Sequence, residues 1–153
     1  MSQAIFEELV DVGVETEDAI DAIRQLGTRF EQAGFVKDTY VEAVTAREAE
    51  YPTGLQLEDM GICMPHTKGA HVNKPAVGVF KLKSPVTFSH MGDPDTKVQA
   101  ELVFMMAILN SDEQLDLLQK VMKVFTNRQA MAEFKAAQSK QELLEVSKRY
   151  IDS

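Results

Sequence analysis

Three histidines (His66, His71 and His90), one arginine set among apolar neighbours (Arg47) and a single cysteine (Cys63) are the residues of this chain best suited to chemistry. His66 closes the stretch Gly61-Ile62-Cys63-Met64-Pro65-His66, a short apolar segment that stops at Pro-His. Proline fixes its own backbone and biases Met64 towards an extended conformation, so the imidazole is delivered at a strand end on a stiff backbone. Strand ends, and the loops after them, are where α/β proteins place reactive groups. Read by itself, a Pro-His pair equally describes a turn histidine without a role.

Arg47 adds to the picture. Tyr40, Val44, Arg47 and Tyr51 recur at helical spacing, which points a guanidinium along an apolar stripe. Arginine cannot shed its charge, and burying it is costly unless it meets an anion. Two partners fit its planar fork: a carboxylate such as Glu48, Glu50 or Glu58, or a phosphoryl group. His71 follows His66 across Gly69 and is positioned to come round a turn towards it. Zinc would want three or four protein ligands, and no carboxylate or cysteine stands at a familiar spacing from this pair, so no metal ligand is assigned. Cys63, three residues before His66 on an extended segment, faces the other way and reads as a small core residue. His90, in Ser-His-Met-Gly-Asp-Pro-Asp, reads as a surface-loop residue.

The elements that must hold these groups run helix, then strand, then helix. A first helix is expected from Thr16, as N-cap, to Ala33, with Ala19, Ile20, Ile23, Leu26 and Phe30 inward and Gly34 as its stop. Asp38 caps a second helix that runs to about Tyr51 and ends at Pro52 and Gly54. Leu55–Leu57, Ile62–Met64, Ala76–Leu82 and Glu101–Leu109 are β-compatible, the last apolar enough for a strand covered on both faces. Ser111 and Gln114 form a capping-box pattern ahead of Leu115, Leu118, Met122 and Phe125. Helices over Gln129–Ala137 and Lys140–Tyr150 finish the chain. The expected fold is α/β (mixed α+β): one sheet of about four to five strands flanked by helices on both faces, as a single domain over residues 1–153.

Bulk properties narrow the partners. At −8 net charge over 153 residues, the chain lacks the basic face that nucleic acid requires. One cysteine excludes an internal disulfide. The longest apolar run, Leu102–Leu109, is too short to span a bilayer, and no secretory leader pattern opens the sequence, so a cytoplasmic protein without direct membrane insertion is expected. Phosphate-binding glycine loops, dinucleotide fingerprints and the serine-hydrolase elbow are missing, and no cofactor is assigned.

Gly61-Ile62-Cys63-Met64-Pro65-His66 resembles the Gly-Ile-Ala-Ile-Pro-His signature of EIIA domains of the fructose–mannitol superfamily of the sugar phosphotransferase system. Upstream Arg47-Glu48 in a helix, and Asn110 leading into Gln114-Leu115-x-Leu117-Leu118, keep that family's order over nearly the whole chain. The resemblance implies a phosphotransferase. His66 would accept a phosphoryl group from phospho-HPr and pass it to a cysteine of an EIIB partner coupled to a membrane EIIC, while Arg47 stabilises the charge in transit. No metal is needed by that scheme. Fructose- and mannitol-type domains often carry a second histidine where this chain has Gln114. His71 is instead similar to a histidine of galactitol-type chains, which implies that branch, galactitol or a related polyol as the sugar, and assisting roles for His71 and, as a hydrogen-bond donor, Gln114. The alternative on the same fold is a regulatory EIIA-like protein whose His66 phosphorylation controls a partner rather than transport.

Overall fold

The structure is a computed structural model that describes residues 3–109 and 112–152, apart from the side chains of Glu113 and Gln114. Five strands and five α-helices are found among them: β1 (Val10–Val14), α1 (Ala19–Gln32), α2 (Tyr40–Glu50), β2 (Leu55–Gln56), β3 (Gly61–Cys63), β4 (Ala76–Ser89), β5 (Lys97–Ala107), α3 (Asp112–Val124), α4 (Arg128–Ala136) and α5 (Lys140–Ser147). The strands form one mixed sheet in the order β1-β4-β5-β3-β2. β1 runs parallel to β4 and β3 parallel to β5, while β4–β5 and β2–β3 are antiparallel. The expected helix-covered mixed sheet is what the chain builds.

Alternation along the central strands divides the core in two. Ile62, Met64, Leu102, Phe104 and Met106 pack with Val121, Phe125, Phe134 and Leu143 on the face covered by α3, α4 and α5. Cys63, Phe80, Val103 and Met105 pack with Ile23, Leu26, Phe30, Tyr40 and Val44 on the face covered by α1 and α2. A strand buried on both sides cannot alternate with polar residues, which is why β5 reads as an unbroken apolar run.

Several boundaries differ from the sequence-based expectation. α1 is capped by Asp18, whose side chain accepts from the Asp21 amide, not by Thr16, whose hydroxyl is buried without a partner. Ile20 points outward, and Ala22 and Gly27 complete the inward face instead. Gly34 does end α1: it adopts φ 86°, and the Gly34 and Phe35 amides bond back to Glu31 and Phe30. Asp38 is not the α2 cap; Thr39 precedes the helix and gives its side chain to His71. In α3, Leu115 and Met122 are exposed, and the helix buries Val121 and Val124 beside Phe125. Ser111 and Asn110 lie outside the described residues. β1 was not expected at all, and β4 continues past Pro85 to Ser89.

Gly61 is needed for close packing. A Cβ there would strike the Gln99 carbonyl of β5 and come within 2.8 Å of a Val98 methyl. Gly61→Ala is therefore expected to lower stability by about 1–3 kcal/mol through overpacking, seen as a lower urea midpoint at unchanged m-value.

Candidate functional site

β3 and β5 are parallel, so their carboxyl ends lie together, and the chain leaves β3 there through Met64, Pro65 and His66. Three bonds hold this exit. The Met64 amide donates to Thr53 Oγ1 (3.2 Å), the Met106 amide of β5 donates to the Pro65 carbonyl (3.0 Å), and His66 Nδ1 meets the Met64 carbonyl at 2.7 Å. A carbonyl oxygen only accepts, so the His66 contact requires the proton on Nδ1 and leaves Nε2 with a free lone pair. β5 is in turn tied to α2, because the buried Tyr40 hydroxyl donates to the Met106 carbonyl at 2.6 Å.

His66 is half-buried. Burial holds its pKa below the ordinary 6.5; the Met64 carbonyl pulls the other way, and the Arg47 charge depresses it further. The neutral, nucleophilic imidazole is thus favoured relative to a free imidazole at the same pH. A rate of acceptance that depends on neutral His66 should fall off in acid with a midpoint below pH 6.5. A pH–rate profile with an acid limb at or above that value would contradict this placement.

Arg47 lies on α2, with its guanidinium carbon 5.1 Å from the centre of the Tyr51 ring. It forms no ion pair among the described residues. The carboxylates that could have taken it are otherwise engaged or do not meet it: Glu48 accepts from Thr53, and Glu58 meets Arg128 at 3.3 Å. A fork-shaped cation that forms no ion pair among the described residues, close enough to lower the proton affinity of His66, is an arrangement suited to an anion arriving at that imidazole.

The other expected residues are placed differently. His71 ends a single 3-10 turn, Gly69–His71, and its Nδ1 meets the Thr39 hydroxyl at 2.8 Å, while its carbonyl accepts from the Lys37 amide. It makes no hydrogen bond with His66. Gln114 belongs to the opening of α3, the helix that follows the carboxyl end of β5, and its side chain lies outside what is described. Cys63 is fully buried, and burial pushes its thiol well above the ordinary value, as suits a core residue. His90 is half-buried rather than fully on the surface, and it closes the β4–β5 turn by accepting the Gly92 amide on Nδ1. Among the described residues no group of three His, Cys, Asp or Glu gathers as a metal would require, and no helix is long and apolar enough to cross a membrane.

Residues 3–150 match the family model for the phosphoenolpyruvate-dependent sugar phosphotransferase system, EIIA 2. The chain belongs to this family. As an EIIA component it is a phosphotransferase that carries a phosphoryl group. The galactitol-specific EIIA component of the phosphotransferase system from Escherichia coli K12 is 33% identical to this EIIA over 106 residues, 69% of this chain and 70% of that one. The solution structure of the mannitol-specific cryptic phosphotransferase enzyme IIA CmtB from Escherichia coli superposes with a TM-score of 0.78 at 16% identity, covering 95% of both chains. The complex of enzyme IIAMTL and phosphorylated enzyme IIBMTL from the same organism matches with a TM-score of 0.73 at 23% identity, covering 91% of this chain and 93% of that one. At such identities the structural likeness speaks for the fold.

Sequence reasoning missed Thr53. It follows Pro52 in a segment that reads only as the end of a helix, and nothing local marks its hydroxyl as the acceptor of the Met64 amide.

Proposed function

We propose that this EIIA, acting as one unit over residues 1–153, accepts a phosphoryl group on His66 Nε2 from phospho-HPr and passes it to a cysteine of an EIIB partner. The observation that supports this most is the nearness of an Nδ1-protonated His66 to an Arg47 that forms no ion pair among the described residues. In the first step the Nε2 lone pair forms a bond to phosphorus. The P–N bond of the donor phosphohistidine breaks, and its electron pair returns to the donor imidazole. In the second step a cysteine thiolate attacks phosphorus, and the pair of the breaking P–N bond returns to Nε2. Proton positions on the His66 ring need not change, because Nδ1 keeps its hydrogen and its bond to Met64 throughout. Transition states of this kind are loose and depend on positioning and charge stabilisation, which is the part given to Arg47.

The relation to a galactitol-specific component favours galactitol or a related polyol as the sugar served, with EIIB in turn coupled to a membrane EIIC. His71 is given an assisting role, as is Gln114 as a hydrogen-bond donor from the opening turn of α3, where backbone amides favour an anion. Because His71 is bonded to Thr39 and not to His66, His71→Ala is expected to keep the phosphoryl adduct and slow its formation by less than about tenfold, below the usual worth of a direct acid or base. Quenched-flow mass spectrometry measures that rate.

The decisive experiment incubates the protein with phosphoenolpyruvate, enzyme I and HPr, then adds a galactitol-type EIIB. An acid-labile adduct that forms and then moves to EIIB is expected. An adduct that forms but is never passed to any EIIB points to the regulatory alternative, and no adduct with an active donor removes the carrier reading.

A further inference from the structure

Beyond the end of β3, the Met64 amide has no ladder partner; its acceptor is a side chain, Thr53 Oγ1. That hydroxyl has one hydrogen, and it is donated to Glu48 Oε1 at 2.7 Å. The Thr53 backbone amide donates to the other oxygen, Oε2, also at 2.7 Å. With its hydrogen held by a carboxylate, the hydroxyl can turn only a lone pair towards Met64. Thr53 is 4% exposed, so these bonds are made away from competing water. Burial raises the Glu48 carboxyl against two opposing bonds from Thr53 and the weaker opposing pull of the Arg47 charge. Arg47 and the Met64 carbonyl both act on His66.

The Met64 carbonyl lies in the peptide plane between Met64 and Pro65. The plane before it is held by the Met64 amide bond to Thr53 and the plane after it by the Met106 bond to the Pro65 carbonyl, which together orient the carbonyl that receives His66 Nδ1–H. We infer that Glu48 and Thr53 are positioning residues of the phosphoryl-carrier reaction: they aim the Met64 carbonyl so that the His66 proton rests on Nδ1 and Nε2 faces the incoming phosphorus. Neither touches the reacting atoms. The inference rests on the carrier reading above, but its first readout, the His66 tautomer, is independent of any phosphoryl transfer.

The test is nitrogen-15 NMR of the His66 ring in unphosphorylated protein at mildly alkaline pH, joined to single-turnover phosphorylation by phospho-HPr. The wild type should show a protonated Nδ1 and an unprotonated Nε2. Thr53→Val keeps the shape and the Glu48 bond to the backbone amide but removes the hydroxyl. It is expected to shift population to the Nε2–H tautomer and to lower the maximal transfer rate about 10- to 100-fold, the scale of a small misplacement. The donor concentration for half-saturation should not change. Thr53→Ser should restore both tautomer and rate. Glu48→Gln, which cannot accept both Thr53 donors on two equivalent oxygens, should move both readouts in the same direction by a smaller amount, and it carries the test if Thr53→Val does not fold. A folded Thr53→Val with the wild-type tautomer and rate overturns the inference while leaving the carrier function intact. A wild type that is never phosphorylated overturns the carrier reading, and the tautomer comparison then still decides whether Thr53 aims the ring.

Discussion

His66→Ala should reduce the acid-labile phosphoryl adduct to background while leaving a folded protein. The imidazole sits just past the carboxyl end of β3, half-buried, and among the described residues its hydrogen bond is to the Met64 carbonyl. Losing that bond costs about 1 kcal/mol, and the carbonyl can turn to water, so thermal stability should be nearly unchanged. Function and stability thus separate at this position, which core positions do not permit. Intact-protein mass spectrometry before and after mild acid gives the adduct, and a thermal melt gives the stability. An adduct that persists in His66→Ala and vanishes in His71→Ala would move the acceptor to the second histidine.

The second large effect is expected at Arg47. Arg47→Ala should slow phosphoryl transfer by about 10²–10³-fold, the scale measured when one preorganised donor is removed from a developing negative charge. Arg47→Lys should recover only part of this, because an ammonium is a point charge and cannot offer two parallel N–H groups to one phosphoryl. Structural ion-pair arginines behave differently: removing one leaves a buried carboxylate unpaired and costs several kcal/mol. Among the described residues Arg47 forms no ion pair and lies against the Tyr51 ring, a contact of about 0.5–1 kcal/mol where exposed, so its removal should move the melting temperature little. A large drop in stability with a small drop in rate would make Arg47 a scaffold residue. In Arg47→Ala the His66 pKa should also rise, since one cause of its depression is gone; NMR titration of the ring reads this directly.

These two residues were legible because their signals are local. Pro65 stiffens the two residues before His66 by covalent geometry alone. Arg47 shares a helical stripe with Tyr40 and Val44, both fully buried. The stripe was overextended at its end: Tyr51 is exposed, since α2 finishes at Glu50 and its last turn leaves the core. The same error put Ile20 inward in α1. Helical periodicity fixes which residues share a face, and it does not say which of two apolar faces a neighbouring sheet will cover.

β1 was hidden for a different reason. Asp11 and Gly13 interrupt its apolar pattern, and the strand exists because residues around Val79 and Leu82 offer it a parallel edge. Pro85 made β4 look shorter than it is. The pairing with β1 ends at Leu82, and the β4–β5 register shifts between Lys81 and Val86, so the proline sits where a missing amide breaks no ladder.

By itself, the sequence determined a helix-covered sheet, a stiff Pro-His at a strand end, an arginine on an apolar helical stripe and the family these belong to. Only the tertiary structure decided the protonated nitrogen of His66, the bond that turns His71 to Thr39, and the chain of bonds from Glu48 through Thr53 to Met64. Propensity, periodicity and covalent stiffness act over a few neighbouring residues and can be read in one dimension. A hydrogen bond between residues 32 or 11 positions apart forms only when packing has closed the loop between them and excluded the water that would otherwise take its place.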